Sequence, residues 1–166
     1  MKKKNGNYLL LILICYLIVV FWLLFLQVGS TDRASYFDSR RIHIIPFESS
    51  FNSIKLALNN NFATQHKQHY RYITLRNFAG NILLFLPWGF LAPLIFPRFQ
   101  KSVGIFISTA IFSITAEIAQ FIFIVGVADI DDVLLNLLGA LIGFYVYSFL
   151  NLRTSFVKKI SLPWMD

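Results

Sequence analysis

Three stretches of this chain carry no formal charge, and a fourth carries one. Asn5–Thr31, Asn77–Pro97 and Val133–Leu152 lack Asp, Glu, Lys and Arg, and Ser102–Ala128 holds only Glu117. A helix rises about 1.5 Å per residue, so roughly 20 apolar residues cross the ~30 Å hydrocarbon core of a bilayer. Each run is long enough. The 166 residues are 57% hydrophobic and 14% charged. A soluble domain of this size has one small core, and the apolar surplus would lie on its surface as an aggregation hazard. The expected fold class is therefore all-α. The chain reads as a polytopic membrane protein with a single domain over residues 1–166. Its expected transmembrane segments are about 8–28, 77–97, 102–125 and 132–152, with an extracytoplasmic segment at about 29–76.

The remaining composition removes other classes. The one cysteine, Cys15, lies inside the first apolar run. It allows no disulfide framework and no cysteine-rich metal site. A net charge of +7 raises the question of nucleic acid. Eight of the fifteen basic residues flank apolar runs, where the negative membrane surface accounts for them, and the other seven lie in Asp32–Arg76 without forming a basic stripe on a soluble fold, so no nucleic-acid partner is expected.

Basic flanks also set an expected orientation. Lys2, Lys3 and Lys4 precede the first run, and Arg98 and Lys101 separate the second from the third. Arg153, Lys158 and Lys159 follow the fourth, whereas Asp129, Asp131 and Asp132 stand alone between the third and fourth. Positive ends stay inside, which puts both termini on the cytoplasmic side of a cell (plasma) membrane and the acidic turn outside. No small-x-small cleavage site follows Leu26, so the first run is expected to remain as a signal anchor. Within the outer segment, Phe47, Phe51, Ile54 and Leu58 recur at steps of four, three and four, after Pro46. That spacing predicts an amphipathic helix over Phe47–Asn60, either in the outer interface or packed on the bundle. Asn59–His69 is polar and is expected to be a loop.

Polar residues inside the spans are costly in hydrocarbon, about 2.5–3.5 kcal/mol for a charge at mid-bilayer. Here they are spaced to share faces. Asn77 and Asn81 are four apart; Ser113, Glu117 and Gln120 follow steps of four and three; Asp129, Asp132 and Asn136 follow steps of three and four. Three helices then carry polar groups to a similar depth, and these faces should turn toward one another as an outward-facing polar cleft. Gly139 and Gly143 form a GxxxG pattern suited to close helix approach, and Pro87 with Gly89 should kink the second span or free a carbonyl in it. Two plainer readings stay open. Glu117 would serve only structure if bonded to Asn81, Gln120 or Asn136, and the acidic turn would be only a helix start, where Asp is favoured.

The same residues resemble the VanZ-like family, named for an accessory protein of glycopeptide resistance in Gram-positive bacteria. The resemblance rests on Ile45-Pro46-Phe47, the block from Asn77 through Asn81 and Phe85 to Pro87 and Gly89, Glu117-Ile-Ala-Gln120, and Asp129 through Asn136 to Gly143. Two positions depart from it. His43 stands where the family often has Asn, and Gly126-Val127-Ala128 lacks the basic residue that often precedes the acidic turn. The resemblance implies a cell-envelope membrane protein linked to lower susceptibility to teicoplanin-type lipoglycopeptides, without implying a reaction.

Three functions follow as expectations. In the first, the cleft binds a membrane-lipid head group, with Arg76 at its rim and Arg71, Arg40 or Arg41 also pairing with phosphate; a lipid-linked cell-wall precursor fits the same chemistry. This limits antibiotic contact with its membrane targets and needs no cofactor. In the second, Glu117, Asp129, Asp131 and Asp132 hold Mg²⁺ or Ca²⁺ in an intramembrane enzyme acting on a phosphorylated lipid. His66 and His69 give a weaker metal-binding alternative, since a polar loop accounts for them. In the third, Glu117 marks the route of a small transporter.

Overall fold

The computed structural model describes residues 2–25, 42–58, 64–123 and 128–153. The elements are α1 (Lys2–Phe25), β1 (Ile42–His43), α2 (Glu48–Leu58), α3 (Thr64–Ile95), a single 3-10 turn (Pro97–Phe99), α4 (Ser102–Phe123), β2 (Ala128–Asp129) and α5 (Ile130–Arg153). The protein is helical apart from the two-residue strands. Three helices contain segments long and apolar enough to cross a membrane: Thr74–Ile95, Ser102–Phe123 and Ile130–Leu152. The apolar part of α1, Tyr8–Leu24, is shorter, and positions 26–28 of the expected first span lie outside the described residues.

Beside an apolar core around Phe85, Ile95 and Ile105, one helix carries a buried polar seam. On α4, Val103, Ile107, Ile111, Ile114, Ile118 and Ile122 point outward, while Thr109, Ser113 and Glu117 are buried. Apolar flanks around a polar seam suit a hydrocarbon solvent, where the outward residues cost nothing and the seam needs internal partners.

The tightest contact joins α3 and α5. A Cβ on Gly139 would lie 2.2 Å from the Ile82 carbonyl oxygen, and one on Gly143 2.0 Å from that of Leu86. From the other side, a Cβ on Gly89 would lie 1.8 Å from the Ala140 carbonyl oxygen. The two backbones therefore touch along three glycines, which is the approach that small residues permit between membrane helices. Pro87 and Pro93 both lie inside α3, and Phe96 N–H still donates to the Ala92 carbonyl at 2.8 Å. The helix thus continues past both prolines.

α1 joins this pair through Leu9 and Leu13, which are buried in the shared apolar core, and through Tyr16, whose hydroxyl donates to the Leu84 carbonyl at 2.7 Å. Between α3 and α4 the chain turns through Pro97–Phe99, with Phe99 N–H donating to Phe96 O and Gln100 N–H to Pro97 O.

Two expectations need correction. The polar stretch 64–69, expected as loop, is helical and belongs to α3. That helix has 32 residues and is ~48 Å long, well beyond the ~30 Å of hydrocarbon. Its polar first turns continue the apolar span because an uninterrupted helix satisfies its own backbone. Phe47, expected to open the amphipathic helix, precedes it with a left-handed φ of 65°; α2 starts at Glu48 and is described to Leu58. α2 packs against α3, yet Phe51, Ile54 and Leu58 remain exposed. Its apolar stripe is therefore turned away from the bundle.

Candidate functional site

The polar residues collect where α5 begins. Asp129 ends β2, and its carboxylate accepts the Asp131 N–H at 2.9 Å. That is a helix N-cap bond, the side chain satisfying an amide of the first turn. One turn of geometry then splits the next two carboxylates. Asp132 Oδ1 accepts from Asn81 Nδ2 of α3 at 2.6 Å. Asp131, only 2% exposed, points instead to the turn before α2, where its Oδ1 accepts the Phe47 N–H. Adjacent helical residues diverge by about 100°, so one acidic pair ties α5 to two different elements.

α4 approaches the same end from the other side. Glu117, 8% exposed, accepts the Asp129 N–H through Oε2 at 3.0 Å. One turn deeper, Asn136 Nδ2 of α5 donates to Ser113 Oγ at 2.8 Å. Asn136 Oδ1 and Thr109 Oγ1 are buried without a partner. Thr109, Ser113 and Glu117 follow each other at intervals of four, so they line one face of α4.

A short parallel pairing closes the arrangement. Ile42 pairs with Ala128 and His43 with Asp129. His43, at the position that departs from the family pattern, is thus fixed by backbone pairing beside the acidic turn. The Ile45-Pro46-Phe47 turn follows it, ending at the Phe47 amide held by Asp131.

The expected cleft residues therefore separate by partner. Asn81, Glu117, Asp129, Asp132 and Asn136 all join helices at or near this end. Gln120 does not turn to Glu117; its Nε2 donates to the Leu24 carbonyl of α1 at 3.0 Å. A separation of three residues rotates it about 60° from Glu117, enough to reach a different neighbour. Asn77 is exposed one turn before Asn81. The Glu117 partners expected from spacing (Asn81, Gln120 and Asn136) are each bonded elsewhere, and a backbone amide takes their place.

Arg71 and Arg76 are exposed on α3. Arg76 precedes Asn81 by five residues, which puts it about 140° round the helix from it. Adjacency to Asn77 therefore does not bring its Cα onto the Asn81 face. Arg40 and Arg41 lie outside the described residues, and the side chains of His66 and His69 are likewise not described. Among the described residues, no group of three or more His, Cys, Asp or Glu is placed to hold a metal ion.

Sequence reasoning missed Asp131 as an anchor and missed the β1–β2 pairing. It also passed over the Trp88–Ser108 bond, in which Nε1 donates to Oγ at 3.2 Å. Only Asp131 had a signal, its position beside Asp132.

A helical bundle with three segments long and apolar enough to cross a bilayer, glycine-mediated contact and a polar knot at one end has the build of a helical membrane protein. A sequence profile of the VanZ/LLP1 family matches residues 11–151, so the chain belongs to that family. It is similar to Protein VanZ of Enterococcus faecium, with 26% identity over 144 residues, covering 84% of this chain and 73% of that protein. No solved structure matches it.

Proposed function

We propose that this protein acts in the bacterial cell envelope to lower susceptibility to teicoplanin-type lipoglycopeptides, by binding a lipid head group and limiting the antibiotic's contact with membrane targets. The observation that carries this reading is the polar knot at the Asp129 end. It fastens an amphipathic helix to the end of the bundle where α4 and α5 bury polar residues. α2, with Phe51, Ile54 and Leu58 exposed and Lys55 alongside, has the composition of a helix lying in a membrane interface. Arg71 and Arg76, exposed on α3, are the cations nearest in sequence to Asn77 and Asn81, and they would meet phosphate. A lipid-linked cell-wall precursor presents the same phosphate chemistry.

In this proposal α1 is a fourth crossing, both termini are cytoplasmic and the knot faces outward. Membership of the VanZ/LLP1 family and similarity to Protein VanZ support the biological direction.

The test compares teicoplanin retention and susceptibility of cells with and without the protein. Lower retention with reduced susceptibility is expected. Equal retention together with equal susceptibility refutes the proposal. Glu117→Gln keeps an acceptor for the Asp129 amide, so it separates a need for charge from a need for the fold. Lost protection in a Glu117→Gln protein that still folds assigns the carboxylate to function.

A further inference from the structure

A second feature lies on a different face of α4 from the polar seam. Tyr16 and Leu17 of α1, Phe85 and Trp88 of α3, Phe99 of the connecting turn, and Ser108, Ile111, Phe112 and Thr115 of α4 enclose a cavity of about 480 Å³. Ser108, Ile111, Phe112 and Thr115 recur at steps of three, one and three, forming one stripe about 150° round the helix from Thr109, Ser113 and Glu117. The cavity and the polar knot are thus separate places in the fold.

The lining is apolar almost throughout, and its polar groups are already engaged. Trp88 Nε1 donates to Ser108 Oγ, Ser108 Oγ to the Ile105 carbonyl, Thr115 Oγ1 to the Ile111 carbonyl and Tyr16 to the Leu84 carbonyl. Nothing here recruits a polar ligand. At the floor, Phe85 is 2% exposed, whereas at the rim Leu17 is 38%, Phe112 42% and Ile111 63% exposed. The cavity therefore opens sideways between α1 and α4, beside the segment Ser102–Phe123, which is long and apolar enough to cross a membrane.

The cavity is open on one side rather than closed, so its occupant comes from whatever surrounds the bundle there. A flexible chain one methylene wide can enter it and leave its engaged polar groups undisturbed. At this depth the surrounding solvent consists of such chains.

We infer that this cavity is a binding site for the acyl chain of a bilayer phospholipid, which enters laterally between Leu17 and Ile111 and rests against Phe85 and Trp88. Burial of methylenes against fixed aromatic walls, with loss of chain freedom as the opposing cost, favours a long unbranched chain over a bulky one. This inference is independent of the proposed head-group site, and each can fail without the other.

The chain has three tryptophans, Trp22, Trp88 and Trp164, which allows a direct test. Full-length protein carrying Trp22→Phe and Trp164→Phe is placed in phosphatidylcholine nanodiscs. The unlabelled lipid is then replaced stepwise by phosphatidylcholine brominated at mid-chain, a contact quencher of indole. Loss of most Trp88 emission is expected, and Thr115→Phe or Ile111→Phe, which narrow the mouth, should restore much of it. Leu138→Phe, on an exposed face of α5, should change nothing. The inference is overturned if Trp88 escapes quenching, or if quenching persists unchanged in both mouth variants while they keep the parent's thermal transition. Should quenching fail while Thr115→Cys in a Cys15→Ala background cross-links two copies, the cavity belongs to a protein contact instead, and the inference is equally overturned.

Discussion

Replacing Gly143 by Ala tests the backbone contact that organises the bundle. The added Cβ would lie 2.0 Å from the Leu86 carbonyl oxygen and 3.0 Å from the Phe90 nitrogen. Ordinary contact begins near 3.4 Å, so α3 and α5 must separate by about 1.4 Å or rotate. Neither obstacle is a flexible side-chain end, so relief requires movement of a helix. Overpacking of this kind costs ~1–3 kcal/mol. The shift also acts on the Asn81–Asp132 hydrogen bond, 2.6 Å long across the same interface. An interhelical bond in a membrane contributes about 0.6 kcal/mol on average and about 1.7 at most. Together the loss is ~2–5 kcal/mol, a fall of roughly 30- to 4,000-fold in the folded-to-unfolded ratio. Gly80→Ala is the matched control, because a Cβ there meets nothing within 4 Å. It should be neutral or stabilising by up to ~1 kcal/mol, the ordinary gain of Ala over Gly in a helix. The assay is reversible unfolding in bicelles, read by steric trapping. Equal stability of Gly143→Ala and Gly80→Ala would refute the claim that α3 and α5 touch through their backbones.

Two further outcomes follow from single hydrogen bonds. Asp131→Leu removes the acceptor of the Phe47 amide; hydrogen exchange at that amide should accelerate by roughly 10- to 150-fold, since bonds to a charged acceptor contribute ~1.5–3 kcal/mol, and Asp131→Asn should keep most of the protection. Ser113→Ala leaves the Asn136 amide N–H₂ without the acceptor it has at 2.8 Å and should destabilise by ~1–3 kcal/mol, whereas adding Asn136→Leu should recover part of that loss. Strictly additive effects in unfolding measurements would count against the pair.

How far the sequence anticipates this structure depends on the kind of partner involved. Apolar length announces the three helices long enough to cross a membrane, because hydrocarbon thickness fixes that length. Close approach at Gly139 and Gly143 is likewise legible, since the missing side chains lie on the stripe that carries Asp132 and Asn136. The extension of α3 back to Thr64 is not legible: a polar helix outside the bilayer leaves no apolar period to detect. Asp131 shows a different limit. Helical rotation correctly sets it apart from Asp132, but its partner is the backbone of Phe47, 84 positions away, and amides carry no residue-specific signature. For the same reason Glu117 seemed to need Asn81 or Asn136, when a main-chain N–H at Asp129 meets it. Gln120 reached α1 because proximity on a helix face narrows direction only to within a turn.

The parallel pairing of Ile42 with Ala128 and His43 with Asp129 has a consequence for biogenesis. Its two partners are made at different times, with α2, α3 and α4 between them. Until Ala128–Asp131 has been synthesised, the earlier stretch has no strand to join and no carboxylate to receive its turn. Docking at that turn thus has to wait until α4 has been made.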